Sequence, residues 1–95
     1  MSDNLQTLIM NAERTYQQAA VTYQSASIDQ QVATKPMLDK AGELLVSLQT
    51  KQLQSAITVS DQDVAEMKEL RNKVNEAAAL QTALTSFVSL LMKFV

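Results

Sequence analysis

Ile57-Thr58-Val59-Ser60-Asp61-Gln62-Asp63-Val64 is the stretch on which the reading of the fold turns. Three consecutive β-branched residues resist helix, and a serine then precedes two acids and a valine. The Ser60 hydroxyl is placed to accept from the backbone N–H of Asp63, whose carboxylate can reach back as a short capping box. Val59 is placed to meet Val64 as a hydrophobic staple. Asp61, Asp63 and Glu66 also suit the positive end of a helix dipole. A helix therefore starts at Asp61.

Downstream of that start, Met67, Leu70, Val74, Ala77, Leu84, Val88, Leu91 and Val95 keep helical spacing, and Glu69 and Lys73 form an i,i+4 pair in the favourable order. Neither glycine nor proline interrupts the stretch, which predicts one helix over about 61–94. At 1.5 Å per residue it would run about 50 Å.

Upstream, Leu5, Ile9, Ala12, Tyr16, Ala19, Tyr23 and Ala26 recur at spacings of four and three, which predicts a first helix over about 3–30. Ser2 or Asn4 can cap it, and Asp3 suits its dipole. The apolar stripe changes phase near Pro36, the only proline. A proline costs a helix interior about 3 kcal/mol but fits a first turn. A break over residues 31–35 follows, with a kinked continuous helix as the alternative, and a second helix over about 36–56. Gly42, the only glycine, costs that helix up to about 1 kcal/mol relative to alanine, whether it is simply tolerated or serves close helix approach.

Three helices in 95 residues predict a single all-α domain over residues 1–95. Its expected form is an elongated helical hairpin or three-helix bundle with a long C-terminal helix. The 46% hydrophobic content and net charge of −2 suit a folded chain with one modest core. Such a long helix does not fit a spherical monomer of this size, which points to a covering partner.

The composition excludes several classes of function. Without histidine or cysteine there is no Ser-His-Asp or Cys-His catalysis and no imidazole or thiolate zinc site. One glycine cannot build a phosphate loop. The carboxylate pairs Asp61/Asp63, Glu66/Glu69 and Asp39/Glu43 are explained by helix dipoles and a solvated face. No enzyme, cofactor or metal is expected. The sequence pI of about 4.9 comes with no basic run, and four scattered aromatic residues offer no stacking platform, so no nucleic acid is expected either. The first residues lack the basic start and apolar run of a signal peptide, so the expected location is the cytoplasm, with export without a cleaved signal as the alternative.

Charge is unevenly partitioned along the last third of the chain. Residues 61–76 hold eight charged side chains, whereas residues 77–92 hold none before Lys93. The uncharged half is still amphipathic, with Gln81, Thr82, Thr85, Ser86 and Ser89 on its polar side. A face of that kind is built to be covered by other helices. Residues 1–34 are similarly poor in charge, which again suggests contact.

The expected function is that of a non-enzymatic protein acting through helix packing: an assembly subunit, adaptor or small export-type chaperone. Its partner would be a second copy or another helical protein. The candidate interface residues are Leu5, Ile9, Tyr16, Tyr23, Leu80, Leu84, Phe87, Val88, Leu91 and Phe94. The alternative is a membrane-active protein whose helix 77–95 enters or lies on a bilayer. Its polar interruptions and lack of basic residues fit a span or a surface helix poorly.

Overall fold

The computed structural model describes residues 3–54 and 57–95, so the candidate cap Ser2 and the expected helix end at residue 56 lie outside the described residues. All the described regular structure is helical: α1 (Asp3–Ser25), α2 (Ile28–Gln54), α3 (Asp61–Lys73) and α4 (Leu80–Met92), with a 3₁₀ turn at Ala77–Ala79 between α3 and α4. The all-α reading holds. The single long C-terminal helix does not.

The chain folds as two helical hairpins laid on each other. Asn4 donates to the Val59 carbonyl at 3.1 Å and to Asp61 Oδ1 at 2.9 Å, while farther along α1 the Thr15 hydroxyl lies 3.8 Å from Met67 Sδ. α3 therefore runs beside α1 in the same direction. Lys93 returns to Asp63 at 2.9 Å, which makes α4 antiparallel to α3. Gln49 of α2 donates to Glu13 midway along α1, and Gln31 donates to the Tyr23 carbonyl beside the turn that joins them, so α1 and α2 are antiparallel. α1 packs on α2 and α3, and α4 packs on α2 and α3. The molecule measures 43 × 21 × 17 Å.

The start of α3 is built as the sequence predicts. Ser60 Oγ accepts from Asp63 N at 3.1 Å, and Asp63 Oδ2 accepts from Ser60 N at 3.1 Å. Val59 and Val64 are both buried.

Two helix boundaries differ from the expectation. α1 ends at Ser25 rather than near residue 30, and α2 begins at Ile28 and continues through Pro36. The break expected over residues 31–35 lies instead at Ala26 and Ser27. Ser27 Oγ accepts from Gln30 N at 3.2 Å while Gln30 Oε1 accepts from Ser27 N at 3.4 Å, a reciprocal cap that starts α2. Gln31 Nε2 donates to the carbonyls of Tyr23 and Gln24, which lack partners inside α1. Pro36 is tolerated because it is exposed. The carbonyl it deprives of a partner belongs to Val32, also exposed, where water can serve it.

The second difference is the division of the expected 61–94 helix. Glu76 adopts extended geometry with φ −100° and ψ 122°, and the chain turns at Val74–Glu76 before α4 begins. A straight helix over 61–94 would be about 50 Å long, more than the 43 Å longest dimension. It would also carry Leu84, Phe87 and Leu91 beyond the surfaces of α1 and α2. Folding back buries Leu80, Leu84, Phe87 and Leu91 completely. Each such side chain contributes about 1.5–3 kcal/mol, which outweighs the few backbone hydrogen bonds lost at the turn.

One core joins the hairpins. α1 contributes Leu5, Leu8, Ile9, Ala12 and Ala19, and α2 contributes Leu38, Ala41, Leu44, Leu45 and Leu48. Val64, Met67, Leu70 and Val74 add to it from α3, and the α4 face completes it. Gly42 faces Tyr16: a Cβ there would lie 3.1 Å from Tyr16 Oη and 3.3 Å from its ring, so the glycine makes room for the tyrosine across the α1–α2 seam.

Candidate functional site

All ten residues expected to face a partner sit in or against the chain's own core. Leu80, Leu84, Phe87 and Leu91 are fully buried, and Leu5, Ile9, Val88 and Phe94 nearly so. Tyr16 and Tyr23 are half-buried against the same core. The structure brings α4's residues onto α2 and α3 and those of α1 onto the neighbouring seams. Their apolar stripes are covered within the single chain. The expected helix of about 50 Å is two short helices, so its length does not by itself call for a covering partner.

The apolar surface left uncovered lies mainly elsewhere, on the outer side of α2. Ile28, Val32, Val46 and Leu53 are 77%, 71%, 61% and 87% exposed. Together with Lys35, Asp39, Glu43 and Thr50 they form the series 28, 32, 35, 39, 43, 46, 50, 53. Spacings of three and four hold these residues on one side of a helix. The opposite side of α2 carries Thr34, Leu38, Ala41, Leu44, Leu45 and Leu48, all buried. This helix is thus apolar on two sides, and its outer stripe has apolar ends and a charged middle. Lys35 and Asp39 pair within the stripe at 3.1 Å, and the Asp39 carboxylate raises the Lys35 pKa by accepting its hydrogen bond.

The periodicity of that stripe is visible in the sequence. A second helix that starts at Pro36 leaves Ile28 and Val32 apart from Val46 and Leu53, and so hides it. The Ser27-x-x-Gln30 cap is the signal that finds it.

Two polar features complete the surface. Between α1 and α3 lies an open groove of about 480 Å³ lined by Arg14, Gln17, Gln18, Val21, Arg71, Asn72 and Asn75. Arg71 is held there by Asn11 Oδ1 at 3.0 Å, and the buried Asn11 is itself oriented by donating to the Thr7 carbonyl at 2.9 Å. At one end of the molecule, Lys93 lies 2.9 Å from Asp63 and 6.0 Å from the centre of the Phe94 ring. The Lys93 hydrogen bond holds the Asp63 carboxyl below its ordinary range. Burial opposes that shift, and bonds from Ser60 assist it. Asp63 in turn raises the Lys93 pKa. The carboxylate is engaged by a helix cap and an ion pair, which suits structure rather than proton transfer. No group of three or more potential metal-ligating side chains occurs among the described residues.

Comparison with models of protein families, with curated proteins and with solved structures finds no match to this chain. No helix among the described residues is long and apolar enough to cross a membrane.

Proposed function

We propose that the chain is a non-enzymatic interaction protein, an assembly subunit or adaptor that works by presenting the outer stripe of α2 to another helix. The observation that supports this is the exposure of Ile28, Val32, Val46 and Leu53 along one line of a helix whose other side already packs the core. Isolated exposed apolar residues are ordinary, but here four of the eight positions along one line of a helix are apolar, two toward each end, at the spacing by which helices pair. The role expected of the α1 and α4 faces passes to α2, because those faces are occupied within the chain.

A photo-reactive amino acid at position 46, in cells producing the full chain, tests the reading. An adduct should form there and not with the same group at position 68, an exposed site on α3. Absence of any adduct from positions 32, 46 and 53 would overturn the interaction role.

A further inference from the structure

Independently of the α2 stripe, we infer that the groove between α1 and α3 binds the carboxylates of an acidic peptide segment. Arg14, Gln17 and Gln18 share one side of α1, and Arg71, Asn72 and Asn75 share one side of α3, so each wall of the groove carries one guanidinium and two amides. Arg14 and Arg71 are the only arginines of the chain, and the fold brings both to this groove while every lysine lies outside its lining. The chain has a net charge of −2, yet no carboxylate lines the groove. Among the described residues the ion pairs engage Lys35, Lys73 and Lys93 and neither arginine.

One guanidinium is held in place from beneath. Asn11, only 3% exposed, accepts from Arg71 Nη1 at 3.0 Å and donates its own amide to the Thr7 carbonyl at 2.9 Å. That bond uses one of the five N–H groups of the guanidinium, and the planar fork it orients matches a carboxylate bidentately.

The rest of the lining selects among anions. Both walls are flanks of helices, whose backbone N–H groups are spent within α1 and α3, so the groove lacks the main-chain donors on which phosphate sites rely. No aromatic residue lines it, so it offers no stacking surface for a nucleobase. Asn and Gln side chains carry both a donor and an acceptor, which is what the N–H and C=O groups of an extended peptide require. The groove is open, about 480 Å³ in volume, and suits a segment of chain laid along it rather than an enclosed small molecule.

The test is titration of the isotope-labelled full chain, followed by NMR, with a capped hexaglutamate peptide at low salt. Capped hexaglutamine and inorganic phosphate serve as comparators. Hexaglutamate should give saturable shifts of the Arg14 and Arg71 Nε–H signals and of the Asn72 and Asn75 side-chain amides, and the comparators should not. Arg14→Gln, at an exposed position, should keep the fold and weaken hexaglutamate binding by about fivefold. Lys40→Gln makes the same charge change on α2 and should leave the affinity unchanged. Absence of saturable shifts at the groove, or an equal loss from Arg14→Gln and Lys40→Gln, would overturn the site. Equal binding of phosphate or of hexaglutamine would overturn its assignment to acidic peptide. None of these outcomes bears on the α2 stripe, which the adduct at position 46 tests separately.

Discussion

Asp63 joins three parts of the molecule through one carboxylate. It caps α3 through the Ser60 N–H, and it receives the Lys93 ammonium from beyond the end of α4. The Lys93 bond and those of Ser60 lower its pKa in the folded chain below the ordinary 3.8, against the effect of burial. Its contribution to stability is therefore complete above pH 3.8 and is lost as the pH falls through the depressed folded value. Lys93 mirrors this at the other limit, because its pKa is raised above 10.5. Its share is complete below that pH and disappears as the pH rises through the folded value. Urea unfolding followed against pH should show a steeper acid limb for the native chain than for Asp63→Asn. Equal acid limbs would show that the pair contributes nothing in solution.

α2 and α3 begin where side chains cap the backbone, whereas α4 begins after Ala79 with no side-chain cap. Ser60 and Ser27 each start a helix by accepting from the backbone N–H three residues on. Pro36 sits inside α2 against local preference, held there by the buried row from Leu38 to Leu48. Proline is about 3 kcal/mol less favourable than alanine inside a helix, offset by the roughly 0.4–1 kcal/mol by which it restrains the unfolded chain. Pro36→Ala should therefore stabilise the protein by about 2 kcal/mol, read from the urea midpoint at unchanged slope. A destabilised variant would mean that Pro36 sets a geometry on which packing depends. The helix start at Ser60 is legible in the sequence because serine, acid and staple coincide there. The start at Ser27 is not, because its serine and glutamine lie in a run of similar polar residues and Pro36 gives the stronger local signal.

At the scale of the molecule, apolar residues of one chemical kind do two different things. Phe87 is fully buried between the hairpins, whereas Val46 is 61% exposed on α2. Phe87→Ala should cost about 3–5 kcal/mol, a large share of the roughly 5–14 kcal/mol available to a domain of this size. Val46→Ala should change the stability of the dilute chain by no more than about 0.5 kcal/mol while weakening association. Urea titrations at low protein concentration separate the two, and a large loss from Val46→Ala would place that residue in the core.

The sequence by itself determined the all-α class, the capped start of α3 and the apolar stripes of α1 and α4, because caps and helical periods are local properties. The change from charged to uncharged side chains after Glu76 is also visible in the sequence, but it does not mark the end of α3, which lies at Lys73. Only the tertiary structure decided that α3 and α4 fold back on each other and that the α1 and α4 stripes cover one another's neighbours. It likewise left α2 with apolar residues on its outer side. Ala77–Ala79 are strong helix formers, and no local rule breaks a chain there. The break arises because burying Leu80, Leu84, Phe87 and Leu91 against distant helices outweighs continuing a helix past the surfaces that could cover it.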